Sequence, residues 1–162
     1  PIVCSAYRTE GKQRQLYTNK VARVRASGVP EEQVEAEAAK WVAPPGTSEH
    51  QTGLALDIVA ASYQLLDEGQ EDTAEQKWLM ENSWKYGFIL RYPSEKSAIT
   101  GIGYEPWHSR HVGRAAAAET HRPGLCLEAF LGRAVLPAAE LTPAQNAEAP
   151  EGAASSESPL NA

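Results

Sequence analysis

Residues 53–59, Gly-Leu-Ala-Leu-Asp-Ile-Val, constrain the fold of this chain most, because they alternate with the period of a β-strand and yet carry a carboxylate. Leu54, Leu56 and Ile58 fall on one face, and Ala55, Asp57 and Val59 on the other. Burying an unpaired Asp57 on such a strand costs several kcal/mol, so the fold must bring a compensating cation to it.

A metal ion is one such cation, and the sequence offers further ligands for it. His50 lies seven residues before Asp57, across Gly53, and His108 lies in a separate strand-like segment. Two imidazoles and one carboxylate make a catalytic zinc set with a fourth position left for water. Gly53 allows a sharp turn between His50 and the strand, and Ala55 leaves space on the Asp57 face. Glu105 precedes His108 by three residues in Glu-Pro-Trp-His, which puts a carboxylate beside the metal where a general base belongs. Arg8 offers a permanent charge and a rigid fork of donors for an anionic part of a substrate or a developing oxyanion. A structural ion pair is the other reading of Arg8.

The spacing predicts an α+β fold: a small, mostly antiparallel sheet with flanking helices. A short strand over residues 1–9 runs into a polar turn. A helix is predicted over 13–27 with Gly28 as its stop, and a second from Pro30 that ends before Pro44-Pro45-Gly46. A third helix opens at the Thr73-Ala-Glu-Gln capping box and runs to Gly87. Residues 88–91 and 104–112 are predicted strands, and 127–131 a short last helix. The acidic run 67–75 is read as a solvated loop, and Trp41, Trp78, Trp84 and Trp107 as core or cleft wall. One domain over residues 1–135 is expected, followed by a disordered Ala-, Pro-, Glu- and Ser-rich tail over 136–162.

A formal charge of -6 argues against nucleic-acid binding, which draws on clustered Lys and Arg. No apolar run is long enough to cross a bilayer. Cys4 and Cys126 lack the paired spacing of a structural zinc site, and pairing and free thiols stay equally open. No charged-then-apolar leader precedes Pro1, so an export signal is expected to be missing from this chain.

The stretch from Ser48 to Asp57, Ser-Glu-His-Gln-Thr-Gly-Leu-Ala-Leu-Asp, resembles the Ser-x-His-x-x-Gly-x-Ala-x-Asp signature of VanY-type D-alanyl-D-alanine carboxypeptidases. Glu105-Pro106-Trp107-His108 resembles their second signature. Ser5-Ala6-Tyr7-Arg8-Thr9 with Gln13 is similar to a third segment, and residues 86–93 to a fourth, in the right order over about residues 3 to 133. The resemblance implies a hedgehog/D-Ala-D-Ala-peptidase-like fold and a zinc peptidase of bacterial peptidoglycan, exported and acting outside the membrane as a monomer. It implies His50, Asp57 and His108 as zinc ligands, Glu105 as base, and Arg8, Gln13 and Ser48 facing the substrate, although Ser48 has loop-shaping as an equal reading. The reaction implied is removal of the C-terminal D-amino acid from a stem peptide, across a D,D or an L,D bond. A peptidoglycan endopeptidase and a non-catalytic zinc-containing wall-binding module are the rivals. Ser109 and His111 depart from the family's usual residues, both on the strand face opposite His108, and an N-terminal part of the family domain is expected to be absent. His111 and His121 are read as structural.

Overall fold

The structure, a computed structural model, describes residues 1–122 and 124–132. The predicted tail over 136–162, and the end of the predicted domain at 135, lie outside those residues.

Strand β1 (Ile2–Ser5) leads into helix α1 (Glu10–Ala26), whose start is fixed by Thr9, since its hydroxyl accepts from the Lys12 amide at 3.3 Å. That cap explains why the helix begins three residues before the predicted 13. Helix α2 (Glu31–Ala39) follows Pro30 and packs on α1 through Val24, Val34 and Ala38, with Tyr17, Val21 and Val29 around them. A loop then descends to a 3₁₀ turn at Glu49–Thr52 and strand β2 (Ala55–Val59). Gly53 joins them at φ 75°, in the left-handed region that favours glycine, so the predicted sharp turn is present.

Helix α3 (Ala74–Asn82) is capped by Thr73, whose hydroxyl accepts from the Gln76 amide at 3.1 Å. The predicted capping box is only half formed, because the Gln76 side chain donates instead to the buried carbonyl of Pro106. A 3₁₀ turn carries the chain to Gly87 and strand β3 (Phe88–Leu90), and the one-turn helix α4 (Ser97–Thr100) follows. Strand β4 covers only His108–His111. The predicted strand over 104–112 is therefore too long: Pro106 has no amide to give a ladder, and the Glu105 carbonyl accepts from the His108 amide at 3.0 Å in a turn. Helix α5 (Arg114–His121) was not anticipated; its alanines favour a helix without marking an apolar stripe. It packs against β3 and the preceding 3₁₀ turn, with His121 stacked on Trp84 at 5.0 Å. Helix α6 (Leu127–Phe130) matches the predicted last helix.

The four strands form one antiparallel sheet in the order β1-β2-β4-β3. The α+β architecture is thus as expected. Ala55, Asp57 and Val59 are at most 2 % exposed, so the face that carries the carboxylate is the covered one. Ser109 lies on the other face, against Leu56, Ile58 and Phe88. Cys4 is exposed and Cys126 buried, and both are free thiols.

Candidate metal centre

Strand register builds the site. Asp57 on β2 stands directly opposite His108 on β4 and opposite Ser5 on β1, so the three side chains share one face. His50 arrives from the 3₁₀ turn, held by its Nδ1 against the Ala6 carbonyl at 2.7 Å while the Arg8 amide donates to the His50 carbonyl at 3.0 Å. With the proton on Nδ1 committed to Ala6, Nε2 presents its lone pair inward. His50 Nε2 lies 3.3 Å from Asp57 Oδ2, and His108 Nδ1 lies 3.3 Å from Asp57 Oδ1. One ligand atom from each of His50, Asp57 and His108 falls within 4.8 Å of the others, and all three residues are buried.

The donor set suits a metal such as zinc, and Asp57 Oδ1 supports it: the atom is buried and has no hydrogen-bond partner among the described residues. Burial alone would push the Asp57 carboxyl upward, but the neighbouring His108 and His50 rings outweigh it and hold the group well below the usual carboxylate range. Burial likewise works against a charged His108, while contacts with Asp57 and Glu49 prevail and raise it to about 9. Without a metal the pocket therefore binds a proton where a divalent cation would sit.

The other predicted residues surround this cluster. Glu105 is 7 % exposed, with its carboxylate 3.6 Å from His108 Nδ1, and burial pushes it up to about 8 despite the opposing pull of His108. Arg8 donates through Nη2 to Asp57 Oδ2 at 2.6 Å, through Nε to Ser5 at 2.9 Å and through Nη1 to Gln13 at 3.3 Å. Its structural reading and its place in the site thus coexist. Gln13 is fully buried on α1 and its amide donates to the Ala43 carbonyl at 2.7 Å. The Ser48 side chain makes no capping bond, although its carbonyl accepts from the Gln51 amide at 3.0 Å, and the residue lines the same cleft. Trp107 is buried and Trp41 partly exposed on the cleft wall, whereas Trp78 is 51 % exposed and lines a separate apolar pocket with Leu56 and Ile58. His111 packs edge-on to Phe88 and His121 stacks on Trp84, both away from the site.

A buried relay behind His108 escaped the sequence reading. Glu49 Oε2 lies 3.5 Å from His108 Nε2, and Glu49 Oε1 accepts from Arg91 Nε at 2.7 Å. Arg91 is in turn clamped by both carboxylate oxygens of Glu128 on α6. Burial works against the Glu49 anion, but His108, Arg91 and Arg110 outweigh it and hold the group at about 2, beside the ring nitrogen opposite the one facing Asp57. The signal available was the adjacency of Glu49 to His50; the partner on α6 is too distant in sequence to be inferred.

A three-donor cluster with an open side and a buried carboxylate next to it, presented by an antiparallel sheet at the floor of a cleft, defines a catalytic rather than a structural type of metal centre. Residues 1–114 match the family described as VanY, D-alanyl-D-alanine carboxypeptidase. A D-alanyl-D-alanine carboxypeptidase of Enterococcus faecalis is 50 % identical over 133 residues, which is 81 % of this chain and 47 % of that protein. The chain thus spans about half the length of that relative. Two solved structures resemble it closely: VanYB in complex with D-alanine-D-alanine (TM-score 0.72, 50 % identity, 81 % of this chain and 70 % of that one) and the vancomycin resistance D,D-pentapeptidase VanY as a mutant with Zn(II) (TM-score 0.70, 48 %, covering 80 % and 70 %). The chain belongs to the VanY family.

Proposed function

We propose that this protein is a zinc carboxypeptidase that hydrolyses the terminal peptide bond of D-alanyl-D-alanine-ending peptidoglycan stem peptides at the cell envelope. The observation that carries the reading is the convergence of His50, Asp57 and His108 with Glu105 poised 3.6 Å from His108, in a chain of this family. Zinc held by His50, Asp57 and His108 supplies a Lewis acid that makes a water molecule reactive near neutral pH. Glu105 then takes the proton of the attacking water and passes it to the leaving amine. Arg8, already aimed at Asp57, supplies positive charge on the side where an oxyanion develops. Ser48 and Gln13 line the cleft on the substrate side, Gln13 bracing Arg8. Relatives bound to D-alanine-D-alanine and to Zn(II) support the substrate and the metal.

The test is to load the protein with zinc and incubate it with a stem pentapeptide ending in D-Ala-D-Ala, a stem tetrapeptide, and a cross-linked dimer without a free C-terminus. Free D-Ala from the pentapeptide, abolished by chelator, is expected. Cleavage of the tetrapeptide alone would make the L,D bond the substrate, cleavage of the dimer alone would make it an endopeptidase, and cleavage of none would leave a zinc-containing binding module.

A further inference from the structure

The cleft is much larger than a terminal dipeptide requires, with a volume of about 860 Å³. One wall is a single face of α1, on which Gln13, Leu16, Lys20 and Arg23 follow at helical spacing. Gln13 marks the metal end through its bond to Arg8. At about 1.5 Å of rise per residue, Lys20 and Arg23 stand roughly 10 and 15 Å farther along the helix axis. An extended peptide advances about 3.3 Å per residue, and a terminal scissile bond has only one residue on its leaving side. Groups that far out therefore meet the acyl part of the substrate, about three residues or more upstream.

That end of the cleft is built and positively charged. The Trp41 ring is braced by Gly103, where a Cβ would come within 2.8 Å of it, and the Gly103 amide donates to the Lys40 carbonyl at 2.8 Å. Lys20 Nζ sits 5.1 Å from the centre of the Trp41 ring. Although the chain carries 21 acidic residues against 15 Lys and Arg, neither Lys20 nor Arg23 forms an ion pair among the described residues. Burial and the neighbouring Arg23 lower the affinity of Lys20 for its proton, only partly offset by Glu105 and Glu37. Across the cleft, Asp67 is already engaged by the Tyr63 hydroxyl at 2.8 Å and the Gly69 amide at 3.0 Å, and Glu68 lines the same rim.

We propose that Lys20 and Arg23, beside Trp41, form an anion subsite that takes a carboxylate on the acyl side of the substrate, about three to five residues ahead of the scissile bond. The assignment rests on the carboxypeptidase reading above. Its test uses two acetylated pentapeptides ending in D-Ala-D-Ala that differ only in bearing a free carboxylate or its carboxamide on the residue two ahead of the penultimate D-Ala. The wild type is expected to favour the carboxylate peptide about tenfold in kcat/KM, a ratio that falls to about one in Lys20→Ala/Arg23→Ala and inverts in Lys20→Glu/Arg23→Glu. A general loss of fold would lower both peptides together and leave the ratio untouched. Binding of both peptides to zinc-loaded Glu105→Ala by calorimetry separates the two readings: equal affinities overturn the subsite, whereas unequal affinities with no hydrolysis by wild type keep the subsite and overturn the carboxypeptidase.

Discussion

The two oxygens of Asp57 face different neighbours: Oδ2 faces Arg8 and His50, and Oδ1 faces His108. Each flanking residue has a separable role. Glu105→Gln keeps the shape of the base and removes its proton transfer, so kcat should fall by about 10² to 10⁴ while zinc content, read by atomic absorption, stays at one per chain. Glu49→Gln acts one layer further back. With the anion behind His108 gone, the affinity for zinc should weaken by about 10- to 100-fold in a competitive chelator titration. An unchanged affinity would show that Glu49 serves only Arg91. The His50, Asp57 and His108 cluster itself was legible in the sequence because Asp57 violates the apolar alternation of its strand, and such a violation demands a partner. Glu49, Arg91 and Glu128 were not, because a charge on a polar turn or at a strand end violates nothing; only their burial makes them a network.

Among the elements, the 3₁₀ turn at Glu49–Thr52 has the closest control over the site, since it delivers His50 and ends at Gly53 in the left-handed region. A Cβ at Gly53 meets no atom within 4 Å, so Gly53→Ala should cost only the backbone term, about 1 kcal/mol, seen as a lower Tm in calorimetry. Rotation of that backbone should also loosen zinc, and zinc affinity unchanged beside a lowered Tm would detach the turn from the site. Gln70 plays the corresponding part at the cleft rim. It is fully buried within the supposedly solvated acidic run, donating to the Tyr63 and Leu65 carbonyls at 2.6 Å each and accepting from the Ala60 amide at 3.1 Å. Helices with caps and strands with alternation were legible; the turn at 105–108 was not, since it runs straight into β4 and only Pro106 marks the break, and α5 was hidden by its run of small alanines.

For the whole molecule, the metal-free site couples stability to pH with a definite sign. His108, raised from 6.5 to about 9, and Glu105, raised from 4.5 to about 8, bind protons in the folded state at pH values where the unfolded chain has released them. Their contribution is full at low pH and is lost as pH rises through 8 to 9. Asp57 and Glu49, both depressed, contribute in the opposite sense and are lost as pH falls below 4.5 toward 2. The Tm of metal-free protein should thus be highest in weak acid and decline toward pH 9; a Tm that climbs over that range contradicts the proton held in the cluster. Zinc at a thousandfold excess over its Kd should add about 4 kcal/mol and flatten the decline, because the metal replaces that proton.

The strands that carry Asp57 and His108 are the inner pair of the four, each hydrogen-bonded on both sides. Their amide protons should therefore exchange with solvent only when the entire sheet comes apart, more slowly than those of β1 or the cleft rim. The floor that presents Asp57 and His108 then keeps its shape while the cleft rim opens and closes locally above it.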